Sequence, residues 1–490
     1  MKHSIFYFIL ESDEINKLTL ASILNKQEFW IDANYLKSKL DISRSHFGKI
    51  IKELQEDIEE NFDYCKLLIS NNRYYLQIEA DFSVQTLLSC YLSESVVYKF
   101  LNQIFSNNIT SISDFCRDNF VSYGALYTRI KKLQPLLKKF DLDFYPKCLT
   151  EIKGSEAQIR YFYMLLYWSA FSGTQWPFQI EREKINQAID DIEVFLNTQL
   201  TGPERELYRY IIAVSVERIL LQKSIGDSIS NVDESYLPLK ELLRSSLSEL
   251  IKPSVFLNID SELNFLNRCF FSSILFVDIS PFIKEKDVNS LQMKEAVTFS
   301  KEFCELIKIV FLENNECNAG VESLAVEICH FYYKLSHFKG GLAYFVPEEF
   351  ILPKKMMFWN SLTERILSKI YFPFPDEVVR PHLIYILFRF FMNYVNLPKL
   401  EINFYSLFGK CSRDYFKEVI EADIYIPLHF RNTREKYETG LIISDRKYEF
   451  LPADAPIILW RPAPTTKEIA MVKQKIILSY SNLFFEYFNF

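Results

Sequence analysis

Residues 34–54 read NYLKSKLDISRSHFGKIIKEL, and the fold is decided there. Leu36 and Leu40 lie one helical turn apart, Asp41-Ile42 interrupts the pattern, and Ser43 is a good N-cap. A second helix is predicted from Arg44 to about Glu60, with Phe47, Ile51 and Leu54 on one face at i, i+4 and i+7. A short helix, a tight turn and a longer capped helix make a helix-turn-helix. Two β-rich runs follow, Lys66-Leu67-Leu68-Ile69-Ser70 and Arg73-Tyr74-Tyr75-Leu76-Gln77-Ile78, around Asn71-Asn72. They read as a hairpin, the wing of a winged helix.

The pattern returns 79 residues later, in ISDFCRDNFVSYGALYTRIKKL at 112–133. Val121-Ser122 stands for Ile42-Ser43, and Leu126, Ile130 and Leu133 stand for Phe47, Ile51 and Leu54. A first helix is expected over Ile112 to Asn119, and β-rich pieces over Leu142 to Tyr145 and Cys148 to Lys153. One such match is weak, because any two amphipathic helices around a capped turn imitate it. Two in register, each with its hairpin, are far more specific.

A recognition helix enters the major groove with its N-terminal residues toward the base edges. In the first copy these are Arg44, Ser45, His46 and Lys49, with Lys52 nearer the phosphates. In the second they are Tyr123, Gly124, Tyr127 and Thr128, with Arg129, Lys131 and Lys132 toward the backbone. Arg73 at the first wing tip, and Lys138, Lys139 and Lys147 around the second, could add phosphate contacts. Solvated helix faces account equally well for Lys138 and Lys139. The overall charge offers no help: the chain carries −7, and residues 1–160 hold 20 basic and 21 acidic groups. Glu53, Glu56, Asp57, Glu59 and Glu60 crowd the far end of the first recognition helix, which must face away from phosphate. Modest monomer affinity and marked salt sensitivity are expected.

From about Thr174 to Leu397 the period is almost wholly helical. Ile185–Leu196 and Glu204–Gln222 form one pair of helices, and Met293–Leu312 and Val321–Phe338 another, suggesting two similar bundles joined by a linker at Asp278–Val288. His330 and His337 share one helix face. The last 90 residues alternate strand and helix. Leu400–Leu407, Ile424–Phe430, Leu441–Ser444 and Pro456–Trp460 read as strands, Phe408–Ser412 as a loop, and Arg413–Glu421 and Thr466–Phe488 as helices. This is a small α/β domain with a parallel sheet. Its aromatic tail (Tyr480, Leu483, Phe484, Phe485, Tyr487, Phe488) exceeds what one small domain needs and is expected to pack on a second chain.

Composition excludes much else. In 490 residues, 49% are apolar, 24% charged and 16% aromatic, as in a globular protein of several domains. None of the 11 glycines has phosphate-loop or dinucleotide spacing, and there is neither H-E-x-x-H nor G-x-S-x-G. The nine cysteines contain no C-x-x-C pair, and with no secretion signal the odd count reads as reduced thiols in a cytoplasm. No apolar run approaches a membrane span. No enzyme, metal or other cofactor is expected.

Two winged helices, two helical bundles and a small α/β tail together resemble the Mga family of Gram-positive virulence and metabolic transcription regulators. The resemblance covers essentially the whole chain and is strongest over 34–54 and 112–133. It implies a mainly α fold with boundaries at 1–83 and 84–170 for the tandem winged helix-turn-helix domains. Two phosphotransferase-system regulation domains follow at 171–284 and 285–397, then an enzyme IIB-like α/β domain at 398–490. It implies a cytoplasmic homodimer, joined through that last domain, that binds double-stranded DNA and probes sugar supply through phosphocarrier proteins. Such regulation domains place a phosphorylatable histidine on a long helix, about seven residues before an arginine. In the first bundle Arg218 fits but Ile211 stands in the histidine's place; in the second His330 matches, with His337 where arginine would be. His330 is therefore the first phosphorylation candidate, with His337 and His382 behind it, and a purely structural, partly buried helix histidine is the equal alternative. Cys411 falls where enzyme IIB domains carry their phosphocysteine and reads as a vestige. The rival reading is a phosphotransferase-system signalling protein whose winged helices bind protein.

Overall fold

The computed structural model describes residues 5–78, 82–109, 111–145, 148–171, 175–197, 199–226, 237–251, 259–271, 290–312, 318–345, 356–422, 424–431, 440–449, 451, 456–461 and 464–490. Lys147 and the linker read at Asp278–Val288 lie outside these residues. The chain forms two compact bodies. One comprises Met1–Ala296 and His330–Glu348, the other Val297–Cys329 and Glu349–Phe490.

The first body opens with α1 (Phe6–Ile9) and α2 (Ser12–Asn25), then the short strand β1 (Ile31–Asp32), α3 (Ala33–Leu40) and α4 (Arg44–Asn61). The Ser43 hydroxyl accepts from the His46 amide at 3.3 Å, which supplies one of the orphan donors at the start of α4. Leu36, Phe47, Ile50, Leu54 and Ile58 are buried, so the helical periodicity marks the core face. Strands β2 (Cys65–Ser70) and β3 (Arg73–Ile78) pair antiparallel, with Leu67 opposite Leu76. The turn between them holds Asn71 and Asn72 at φ +48° and +62°. Asparagine tolerates the left-handed conformation that a two-residue hairpin with the strands' own twist demands. β1 adds to the far side of β3, giving the order β1-β3-β2. The sequence pattern does not reveal β1, which is only two residues long.

The second copy is built alike. After α5 (Val84–Glu94) come α6 (Val96–Phe105), α7 (Ile112–Asp118) and α8 (Tyr123–Lys139), then β4 (Asp143–Tyr145) and β5 (Cys148–Lys153). Ser122 caps α8 by accepting from the Ala125 amide at 3.2 Å, and Leu126, Ile130 and Leu133 are buried. Helix α9 (Glu156–Phe171) closes the domain. Its Tyr163 hydroxyl donates to the Leu101 carbonyl at 2.8 Å, its Tyr167 hydroxyl to Asn102 at 2.7 Å, and Gln85 donates to the Ser169 carbonyl at 2.7 Å. The rings of Tyr163 and Tyr167 fill the core while their hydroxyls find acceptors.

A helical region follows in the same body: α10 (Asn186–Leu196), α11 (Gly202–Leu220), α12 (Leu237–Leu250) and α13 (Ile259–Phe271). Helix α9 is tied to it by a buried charge network. Arg160, with no exposed surface, donates to Glu262 at 2.5 Å and to Glu156 at 3.1 Å. Arg218 forks onto both oxygens of Glu156, each at 2.7 Å, and donates to the Phe105 carbonyl at 3.0 Å. Glu262 also accepts from the Ile225 amide at 2.9 Å. Every member is satisfied, which is the condition for tolerating charge in an interior. Helices α14 (Leu291–Phe311) and α15 (Asn318–His337) each contribute to both bodies.

In the second body, helices Met357–Lys369 and Asp376–Tyr394 precede a sheet of order β7-β6-β8-β9. Its strands, β6 (Leu400–Tyr405), β7 (Leu428–Arg431), β8 (Leu441–Ser444) and β9 (Ile457–Leu459), are all parallel. The α/β reading of this end holds, with two corrections. The segment read as a loop at Phe408–Ser412 is already helical from Gly409, so Cys411 sits in the first turn of helix Gly409–Glu421. Part of the aromatic tail on helix Thr466–Tyr487 is used internally: Tyr480 and Phe484 are fully buried, against Phe311, Phe358 and Phe391, while Leu483, Phe485 and Phe488 are partly buried and Tyr487 is exposed. Composition alone does not distinguish a surplus face from a filled core.

Candidate nucleic-acid interface

The buried face of each recognition helix fixes which residues point outward. On α4, Arg44, Ser45, Gly48, Lys49 and Lys52 are exposed and His46 is half-buried. On α8, Tyr123, Gly124, Tyr127, Thr128, Lys131 and Lys132 are exposed, with Arg129 partly so. Arg73 is exposed at the first wing, and Lys138 and Lys139 at the end of α8. Every described residue read from the sequence as a DNA contact is thus at least partly accessible, in two clusters, one per winged helix.

The electrostatics are less open than that placement suggests. Asp13, near the start of α2, accepts from both His46 and Lys49 at 2.8 Å, on separate carboxylate oxygens. These bonds, Lys49 foremost, hold the Asp13 carboxyl below its ordinary range, and Asp13 in turn raises Lys49. Lys49 also lies 3.5 Å from Glu53, and Lys52 the same distance from Glu56, each an i,i+4 pair. Two residues before Asp13, Glu11 pairs with Arg129 of the second recognition helix at 2.5 Å. One short acidic stretch, Glu11 to Asp13, therefore engages cations of both α4 and α8. Arg44, Arg73, Lys131 and Lys132 make no ion pair among the described residues. Nothing in the sequence near Glu11 announces the link; the pairing of Asp13 with Lys49 spans 36 positions.

The second cluster differs in chemistry. Tyr123 and Tyr127 stack with centroids 6.2 Å apart and planes within 14°, both largely exposed. Phe120, in the turn before α8, is 99% exposed.

The histidines read as phosphoryl acceptors are mostly withdrawn. His330 is fully buried, which agrees with the structural reading of it and not with an exposed phosphoryl acceptor. On the same helix, His337 is pushed down to about 3, first by burial and then by Arg268 and Lys339, so it stays neutral. The Phe331, Tyr333 and Leu335 side chains on α15 are buried as well, so this helix is apolar around most of its circumference and draws its histidines inward. His382, on helix Asp376–Tyr394, is only partly buried. Cys411 is exposed, whereas Cys65, Cys116, Cys269, Cys304 and Cys329 are buried. Among the described residues no group of three or more potential ligands gathers for a metal, and no helix is long and apolar enough to cross a membrane.

Residues 80–167, which span α5 to α9, match the family model of the Mga helix-turn-helix domain. The chain is 25% identical over 226 residues to the anthrax toxin expression trans-acting positive regulator of Bacillus anthracis, covering 46% of this chain and 45% of that protein. It is 22% identical over 210 residues to the capsule synthesis positive regulator AcpB of the same organism, covering 43% of each. The matched region spans less than half the length of these relatives.

Proposed function

This chain is a relative of the Mga-family regulators, and from that premise we propose that it is a DNA-binding positive regulator of transcription. The observation that carries the reading is the pair of serine-capped helices, α4 and α8. Each buries one face in a winged-helix core and leaves Arg44, Lys49, Lys131 and Lys132 on the other. Phosphate contacts from such cations position a recognition helix in the major groove. The acidic chain as a whole repels polyanion, so binding depends on these local clusters and weakens steeply with salt. Homodimerisation through residues 398–490 would double the number of clusters engaged.

Control by phosphocarrier proteins belongs to the same proposal, with the order of candidates changed. His382 and His337 are both partly buried, but burial holds the His337 ring neutral and desolvated, so His382 is the first to be reached, whereas His330 accepts a phosphoryl group only if α15 opens. The added charge of about −1.5 to −2 would then shift a helix interface.

Gel-shift titration of the full chain with duplex DNA across a salt series tests the core of this reading. Loss of the shift in an Arg44→Ala/Lys49→Ala variant supports it, and an unchanged shift removes α4 from the interface. Binding to a protein partner but to no duplex favours the signalling alternative.

A further inference from the structure

The two recognition helices occupy equivalent frames, 79 residues apart, yet present different chemistry. Where α4 offers Arg44, Gly48 and Lys49, α8 offers Tyr123, Tyr127 and Thr128. In the preceding turns Asp41 corresponds to Phe120, and both lie in the left-handed region, at φ +55° and +51°.

Phe120 is the anomaly. The Val121 amide donates to the Cys116 carbonyl at 3.0 Å and the Phe120 amide to the Arg117 carbonyl at 3.3 Å, the bonding of a Schellman motif. The residue at its left-handed position is usually glycine, sometimes asparagine. Here it is a bulky aromatic, strained in its backbone and 99% exposed. Folding gains nothing from either property. Strain that packing does not explain points to function.

Its neighbours extend the anomaly. Phe120, Tyr123, Tyr127 and Lys131 recur at helical spacing along one side of the turn and α8. A side chain at Gly124, between the tyrosines, would meet nothing within 4 Å, so a partner's surface can come close to the backbone there. The Thr128 hydroxyl is committed to the Gly124 carbonyl at 2.8 Å. The strip thus presents aromatic ring faces together with the two phenolic hydroxyls, and it is bordered by Lys131 and Lys132, which make no ion pair among the described residues. That combination suits a polyanion with apolar groups on its surface. In the major groove of DNA the apolar group is the thymine 5-methyl.

We infer that Phe120, Tyr123 and Tyr127 form an aromatic reading face whose rings let the second winged helix recognise thymine methyl groups in the major groove. The first winged helix supplies polar and phosphate contacts instead. The inference rests on the DNA-binding reading above and assigns its base preference to one element.

The test uses the full chain and two forms of one A·T-rich duplex, one with thymine and one with deoxyuridine throughout. Uracil pairs as thymine does and lacks only the methyl. The wild-type protein is expected to bind the uracil duplex less tightly, by about fourfold for each thymine methyl that the face covers. Phe120→Asn, and separately Tyr123→Gln/Tyr127→Gln, should bind the thymine duplex more weakly and narrow the difference between the two. Phe120→Asn should also raise the thermal midpoint, because asparagine accommodates the left-handed turn, so its weaker binding cannot come from misfolding. Equal wild-type affinity for the two duplexes overturns the inference and leaves DNA binding standing. So does an undiminished preference in both variants, with a base-step wedge at Phe120 then read from bending of the duplex. If the wild-type protein binds neither duplex, both readings fall.

Discussion

Neutralising Asp13 should strengthen DNA binding while making it more sensitive to salt. Its carboxylate holds Lys49 and His46 at 2.8 Å each, and any phosphate that recruits these groups must displace it. In Asp13→Asn the shape is kept and the charge removed. Each cation transferred to a phosphate steepens the dependence of log affinity on log salt by about 0.9. Transfer of Lys49 from Asp13 to a phosphate should steepen the slope by about 0.9, an extra loss of roughly 3.5-fold between about 50 and 200 mM salt. Lys49 keeps Glu53 at 3.5 Å, so these are upper values. Fluorescence anisotropy of a labelled duplex, at five salt concentrations for each protein, gives the slopes directly. An unchanged slope with weaker binding refutes the reasoning, since Asp13 would then be aiming Lys49 and His46 at DNA rather than competing for them.

Further expectations concern stability. Ser43→Ala and Ser122→Ala each remove a helix cap and should cost about 1 kcal/mol, read from denaturant midpoints, with near-additive effects in the double variant. Glu262→Ala leaves Arg160 buried with half its partners, and a loss of about 3–5 kcal/mol is expected in urea unfolding. A smaller loss would mean that water reaches the site. His337 is held neutral down to about pH 3 in the folded chain, against an ordinary 6.5. The unfolded chain therefore takes up a proton that the fold refuses, and stability declines as pH falls from about 6.5 toward 3. His337→Phe should flatten that decline in a pH series of thermal midpoints. Thiol labelling of the native protein should modify Cys411 before any of the five buried cysteines, and equal rates would contradict the packing.

Much of the fold is legible because its signals are local. Ser43 and Ser122 announce their helices through a hydroxyl three residues from an orphan amide. Asn71-Asn72 announces a hairpin through the one backbone region that asparagine tolerates. The 79-residue offset joins them into a duplication, and short apolar runs interleaved with helices foretell the parallel sheet. What stays hidden are the pairings between residues remote in sequence. Arg160 meets Glu262 across 102 positions and Asp13 meets Lys49 across 36, and no periodicity encodes either. His330 misleads because heptad spacing shows that two histidines share a face without telling whether that face is wet. Phe120 escapes notice because a turn residue's exposure and backbone angle have no compositional mark.

The Arg160–Glu262–Glu156–Arg218 network limits how this molecule can be divided. A chain ending after Phe171 would keep the second winged helix whole by its topology, yet would strip Arg160 of Glu262 and Glu156 of Arg218, together with the α11 scaffold around them. The part of the chain that carries the second winged helix is therefore not a detachable cassette. It should melt in one step with the helices that follow it, and a disturbance among those helices reaches α9 without crossing any hinge.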